Sequence, residues 1–268
     1  MAIITISRGA FSKGKEIAEK LAKKLGYRCI SRDILLEASK EFNIPDMKLA
    51  RAIHDAPSVL ERFTYGKERY IAFIRNELLE AVQEDNVIYH GLAGHFLLKE
   101  IPKVMKVRII ANMETRIREE MKRENIKKSE ARYQLNKDDE ERRKWSLSLY
   151  GIDTNDPKLY DIVLNIRGIS MDDTVDILYN AAQMKCFQIN QRSKQAIEDQ
   201  ILASKIQSVL IVKYPTAKVC CKKGECTVTI KASLIKEKKI SDYVKKAIKK
   251  IPGIKEIKTI VNPMITSD

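Results

Sequence analysis

Hydrophobic residues follow two rhythms along this chain. Ile3-Ile4-Thr5-Ile6 is a short apolar run rich in β-branched side chains, the pattern of a strand buried on both faces. A loop from Ser7 to Gly14 follows. Apolar positions then recur at helical spacing, at Ile17, Leu21 and Leu25, with Glu16, Glu19, Lys20, Lys23 and Lys24 between them, and Gly26 is placed to stop the helix. Further buried-strand patterns lie at residues 86–90 and 104–111, and 161–166 reads as another short strand. Residues 33–84 read as strongly helical, as does the charged segment 114–145. Ser170 with Asp173 three residues on resembles a capping box for a helix reaching about residue 183, with Val175, Leu178 and Ala182 inward. Strands alternating with helices predict a parallel sheet covered on both faces.

The pattern changes after residue 184. Residues 185–192 are polar and read as a linker. Beyond it come a helix (194–212), two strands (218–221 and 226–232) across a Lys-Gly-Glu turn, a helix (237–251) and a last strand (254–261). The expected organisation is an α/β domain over 1–184, the linker 185–192, and a small basic αββαβ domain over 193–268.

The charge is uneven. The whole chain of 268 residues carries a net +14, and from Ser193 onward there are sixteen lysines, no arginine and seven acidic residues. Such a surface is either a solvated one or an attractor of anions. Lysine without arginine or interleaved aromatics is a poor nucleic-acid signature, so nucleic acid ranks last among the partners. No apolar run approaches the ~20 residues a membrane span needs, and the opening residues lack the pattern of a signal peptide. Five scattered cysteines are expected to be reduced thiols in a cytoplasmic protein. Cys220-Cys221 and Cys226 lack metal-site spacing and read as strand and turn thiols; no metal site is expected.

The first loop carries the chemistry. Gly9-Ala10-Phe11-Ser12-Lys13-Gly14-Lys15 fits G-x-x-x-x-G-K between an apolar strand and an amphipathic helix. Glycines let backbone N–H groups curl around a phosphate at a helix N-terminus, and the lysine reaches the outer phosphates. Glu16 stands where many such loops place a Ser or Thr for Mg²⁺.

Several segments in order resemble the cytidylate kinase-like family of P-loop proteins. They are Ile4-Thr5-Ile6-Ser7-Arg8 through Gly14-Lys15-Glu16-Ile17-Ala18-Glu19-Lys20-Leu21, then Ser31-Arg32-Asp33-Ile34-Leu35. Next come Glu130-Ala131-Arg132 and Asp139-Glu140-Glu141-Arg142, and finally Tyr160-Asp161-Ile162-Val163-Leu164-Asn165 with Gly168-Ile169-Ser170. The resemblance covers about the first 183 residues. It implies a three-layer α/β/α P-loop fold with a helical lid, and phosphoryl transfer from ATP with Mg²⁺ to a nucleoside monophosphate, CMP-like by analogy. By the same resemblance Gly9, Ser12, Lys13, Gly14, Lys15 and Glu16 would bind the nucleotide. Lys15, Arg142 and Arg132 would act on the transferring group, and Arg32, Asp33 and Gly91 would face the acceptor. Arg116 reads as a surface arginine of its helix, with assistance at the site as the alternative. In Gly91-Leu92-Ala93-Gly94 the chain departs from the family, which has a Gly-Arg pair there. His90 and His95 are candidate substitutes, or structural residues. Residues 193–268 resemble a BON domain, with Pro252-Gly253-Ile254-Lys255-Glu256-Ile257 like that family's closing segment, which implies a lipid, protein or small-ligand partner. A rival reading is a nucleotide-binding sensor with little turnover, coupled to that domain.

Overall fold

The computed structural model describes residues 2–9, 12–31, 66–84, 86–91 and 93–263. The opening apolar run forms β1 (Ile3–Arg8), longer than the run because Ser7 and Arg8 continue its pairing. The periodic segment after it forms α1 (Gly14–Leu25), which ends at Gly26 in the left-handed region at φ 70°. Next come β2 (Arg28–Ser31), α2 (Gly66–Ala81), β3 (Val87–His90), the one-turn α3 (Gly94–Leu97) and β4 (Met105–Ile110). The strand patterns at 86–90 and 104–111 thus form strands one residue shorter at each miscounted end. Most of the segment read as helical over 33–84 lies outside the described residues; its last part is α2.

Two features depart from the pattern reading. β2 is a four-residue edge strand paired only with β3, and it opens on an exposed arginine, so it leaves almost no apolar run to read. The charged segment 114–145 is two helices, α4 (Met113–Glu124) and α5 (Lys128–Tyr150). Asn125 breaks them by adopting a left-handed conformation at φ 54°, which asparagine tolerates better than most residues. A small core of Ile117, Ala131 and Leu135 joins the pair.

β5 (Ile162–Asn165) and α6 (Met171–Ala182) complete the first layer system. Ser170 caps α6 by accepting from the Asp173 N–H at 3.0 Å. The return half of a capping box is replaced by the Ser170 hydroxyl donating to the Asp173 carboxylate at 2.6 Å. The five strands pair in parallel in the order β2-β3-β1-β4-β5. Strand alternation sends Ile4, Ile6, Val107 and Ile109 to one face, where α1 and α6 cover them with Ile17, Leu21, Val175 and Leu178. Ile3, Val87 and Tyr89 face the other way, against Phe73, Ile74 and Leu78 of α2 and Trp145 of α5.

α7 (Gln191–Leu210) begins at the last two residues of the expected linker, capped by Asn190, which accepts from the Ser193 N–H at 3.0 Å. Its first half is not a separate unit. Ile197 and Ile201 belong to the core under α2, and Lys205 pairs with Glu80 of α2 at 3.2 Å. Its second half, with Ala203, Ile206 and Leu210, belongs to another core, under a three-stranded sheet. That sheet is β6 (Lys218–Lys222), β7 (Glu225–Lys231) and β8 (Glu256–Asn262), with β6 and β7 antiparallel and β7 and β8 parallel. α8 (Glu237–Ile248) covers it through Ile240, Val244 and Ile248.

The cysteine expectation needs one correction. Cys221 and Cys226 form a disulfide, while Cys29, Cys186 and Cys220 are free. The tight hairpin makes Lys222 and Glu225 the last pair and sets Cys221 directly opposite Cys226, with their Cα atoms 4.1 Å apart. Directly opposite positions of an antiparallel ladder put both side chains on the same face, which brings the two sulfurs together. Among the described residues no helix is long and apolar enough to cross a membrane.

Candidate active site

The inward face of β1 that starts at Ile3 turns polar towards its C-terminal end. Thr5 and Ser7 are both buried there. Ser7 pairs in register with Arg108 of β4, and the Arg108 guanidinium stays on the same face, bonding Ser7 Oγ at 3.3 Å. It also donates to Tyr160 Oη at 3.3 Å and to Asn155 Oδ1 at 2.6 Å, and it stacks near the Tyr160 ring. The Tyr160 hydroxyl donates to the Thr154 carbonyl at 2.9 Å.

A cleft of about 230 Å³ opens above this network, beside Gly9 of the phosphate loop. Among the described residues five arginines line it, Arg8, Arg108, Arg116, Arg142 and Arg143, against a single carboxylate, Asp139. Arg116 is buried and pairs with Asp139 at 2.8 Å, yet its Nε and Nη2 are buried without a hydrogen-bond partner. Burial pushes the Arg142 guanidinium below its ordinary range, Arg8 and Arg116 push the same way, and Asp138 and Asp139 offset them in part. Arg143 differs: its pairing with Asp153 at 3.0 Å raises its pKa. Crowding Arg108 and Arg142, which have no ion-pair partner among the described residues, beside the other arginines is unfavourable in the free protein and favourable once a polyanion enters.

The phosphate loop adjoins the cleft. α1 starts at Gly14, and its N-cap residue Lys13 makes no side-chain capping bond, so among the described residues its first N–H groups face an anion with the helix dipole behind them. Lys13 sits in the left-handed region at φ 55° and pairs with Glu119 at 3.5 Å. A Cβ on Gly14 would lie 2.7 Å from Arg8 Cβ, so glycine there lets the Arg8 stem cross the start of α1. The Ser12 hydroxyl is fully buried and lies 3.1 Å from both the Gly9 and the Ile109 carbonyls, which bolts the loop to β4.

The remaining expected residues scatter. Lys15 is on α1, mostly exposed, and pairs with Glu19 at 3.8 Å; it does not line the cleft. Glu16 is exposed. Arg132 pairs with Glu114, which also holds Lys128, and is likewise outside the lining. Gly91 follows β3 at φ 151°, its N–H donating to the Ile6 carbonyl at 3.1 Å, so it stands next to β1. Arg32, Asp33 and Leu92 lie outside the described residues. Arg116, read as a surface arginine, is buried because α5 brings Asp139 over it. His95 is buried between Phe96 and Tyr160, and burial, then Arg108 and Lys106, pull its pKa down to about 3. It is therefore neutral and supplies no cation in place of the missing family arginine.

Pattern reading passed over Arg8, Arg108, Thr154 and Asn155. One signal for Arg108 was present, a charged residue in the middle of the apolar run 104–111.

A profile of the cytidylate kinase-like family matches residues 3–167, which span the five-stranded sheet and every residue of the cleft. The chain belongs to that family. Among relatives, it is 26% identical over 164 residues to the cytidylate kinase of Thermococcus sibiricus, covering 61% of this chain and 78% of that one. It is 26% identical over 194 residues to the cytidylate kinase of Archaeoglobus fulgidus, covering 70% and 99%. The corresponding figures for Methanopyrus kandleri are 28% over 186 residues, covering 66% and 90%. In fold it is similar to an uncharacterized protein from Eubacterium ventriosum, with a TM-score of 0.54 at 19% identity, covering 69% of this chain and all of that one.

Proposed function

We propose that this protein transfers the γ-phosphoryl group of ATP to a nucleoside monophosphate, with a CMP-like acceptor. The observation that carries the reading is the cleft itself: among the described residues, five arginines and one aspartate beside a glycine-bounded phosphate loop whose helix has no side-chain cap from Lys13. Phosphoryl transfer leaves little covalent chemistry to a protein, so catalysis rests on positioning and on positive charge at the equatorial oxygens. The open N–H groups of α1 and the Gly9–Gly14 backbone would hold the donor's phosphates. Lys15 would leave Glu19 to join them, a small rearrangement because an exposed i,i+4 pair is worth only ~0.3–0.5 kcal/mol. Arg142, on α5 and crowded by Arg8 and Arg116, would take the charge of the transferring group. The names of the relatives, all cytidylate kinases, support a cytidine acceptor. We place Arg32, Asp33 and Gly91 on the acceptor side, and Arg132 as a lid residue that would reach the site only if α4 and α5 close.

Asp139 would be the cleft residue that holds Mg²⁺, and the ion would supply positive charge at the donor's phosphates. The donor set fits an ion that arrives with ATP, because Asp139 is the only cleft carboxylate among the described residues and such an ion is held largely by phosphates and water.

The alternative of a nucleotide sensor with little turnover draws on the pairing of Lys15 with Glu19 outside the cleft. In that reading the second, lysine-rich unit, BON-like in its element order, would pass the bound state to a partner. Release of ADP from ATP–Mg²⁺ in the presence of CMP, dCMP, UMP or AMP separates the two. Acceptor-dependent release that disappears in Lys15→Ala supports the kinase. ATP binding with no release on any acceptor favours the sensor.

A further inference from the structure

We propose that Arg108 forms a second anion subsite in the cleft, distinct from the phosphate loop, and grips the phosphate of the acceptor; the acceptor half of this rests on the kinase reading above. Arg108 is 8% exposed and sits in the middle of a central strand. Its hydrogen-bond partners are all neutral: Ser7 Oγ, Tyr160 Oη and Asn155 Oδ1. No carboxylate among the described residues lies within ion-pair distance of it. Asp153, the acid whose titration feels Arg108, is already held by the Asn155 N–H and by Arg143. A cation buried this deeply without a counter-ion is costly, and proteins ordinarily pair it or exclude it. Arg108 is kept instead, with its guanidinium lining a cleft that other arginines share.

The direction of the side chain separates it from the donor site. α1 and its open N-terminus pack on the face of the sheet carrying Ile4 and Ile6. Arg108 stands on the opposite face, with Ser7, at the floor of the cleft. An anion there is a second one, across β1 from the group cradled by the loop. The three neutral partners fix the fork of the guanidinium without neutralising it, which suits a bidentate grip on a phosphate monoester. Arg108 is thus a positioning residue for the acceptor, and a phosphate ion shares the chemistry it recognises.

The full chain carrying Arg108→Gln or Arg108→Lys tests this. Thermal midpoints are measured against rising inorganic phosphate, and CMP and ATP–Mg²⁺ are each titrated by calorimetry. The expected Arg108→Gln protein melts no lower than wild type without ligand, because an uncompensated charge has gone. Its phosphate and CMP affinities fall roughly tenfold or more, the scale of one lost charge-assisted bond, while ATP–Mg²⁺ affinity stays within about twofold. Arg108→Lys, which keeps the charge and loses the fork, falls between. A lower melting point with phosphate and CMP affinities unchanged would make Arg108 a structural residue and overturn the proposal, as would a wild type that phosphate does not stabilise. Arg108-dependent phosphate binding without turnover on any acceptor would keep the subsite and remove the kinase reading. Turnover that tolerates Arg108→Gln with unchanged CMP affinity would do the reverse.

Discussion

Arg142 and His95 show at the scale of single residues what burial does to charge in this site. Arg142 has no ion-pair partner among the described residues, and burial, Arg8 and Arg116 all disfavour its charge. Held that way, it gains most when a transferring phosphoryl group supplies the missing negative charge. Arg142→Gln is expected to lower kcat by ~10²–10³-fold, the range for removing one oriented donor from a developing charge, with the melting point unchanged or raised; steady-state kinetics and thermal melts check both halves. His95 makes the opposite adjustment and stays neutral. Its folded pKa of about 3 lies below the ordinary 6.5. As pH falls below 6.5 the unfolded chain takes up the proton and the folded protein does not, so stability is lost between pH 6.5 and about 3. His95→Phe should flatten that loss, read as urea midpoints from pH 7 to pH 4; identical slopes would contradict it. Spacing and resemblance single out the loop glycines and Arg142, and of these Gly9 and Arg142 line the cleft. Arg8 and Arg108 are not singled out as site residues, and Arg116 only as an alternative, because a charged letter in a sequence looks much the same on a solvated helix and in a cleft. Their meaning comes from strand register and from α5 folding back over α4.

Elements were legible where periodicity was strong. α1 and β1 follow directly from the opening pattern, and α6 from its cap and its apolar stripe. β2 was missed because an edge strand of four residues has too few inward positions to show a period. The break between α4 and α5 was missed because it depends on one residue, Asn125, in a left-handed conformation rather than on glycine or proline. The junction of β1 with α1 carries the prediction at this scale. Alanine is a better helix former than glycine, so Gly14→Ala should leave α1 intact by far-UV circular dichroism. Its Cβ would nevertheless meet Arg8 Cβ and force Arg8 off its course across the helix start. ATP affinity is expected to fall by roughly tenfold, about the worth of one charged hydrogen bond; unchanged ATP binding would show that the Arg8 position does not matter to the donor.

At the scale of the whole molecule, α7 ties the two sheets together. A polar stretch and a change of charge place a boundary near residue 193, and composition has no way to show that the helix beginning there gives its first half to the earlier core. Ile197 and Ile201 lie under α2, and Ile206 and Leu210 under the three-stranded sheet. One rigid helix with a face in each core predicts coupled unfolding. Trp145 fluorescence, which reports the first core, and hydrogen exchange of β7 in the second should give one midpoint. Ile197→Ala, at a cost of ~2–5 kcal/mol for a buried truncation, should shift both together; two separated transitions would show that α7 does not transmit stability.

The central claim concerns chemistry in the arginine cleft, and the most direct measurement follows the label from [γ-³²P]ATP with CMP as acceptor, in wild type and in Arg142→Gln. The account predicts labelled CDP from wild type and ~10²-fold less or lower still from the variant. Label that stays on ATP, or appears only as inorganic phosphate, would contradict phosphoryl transfer to a nucleotide by this protein.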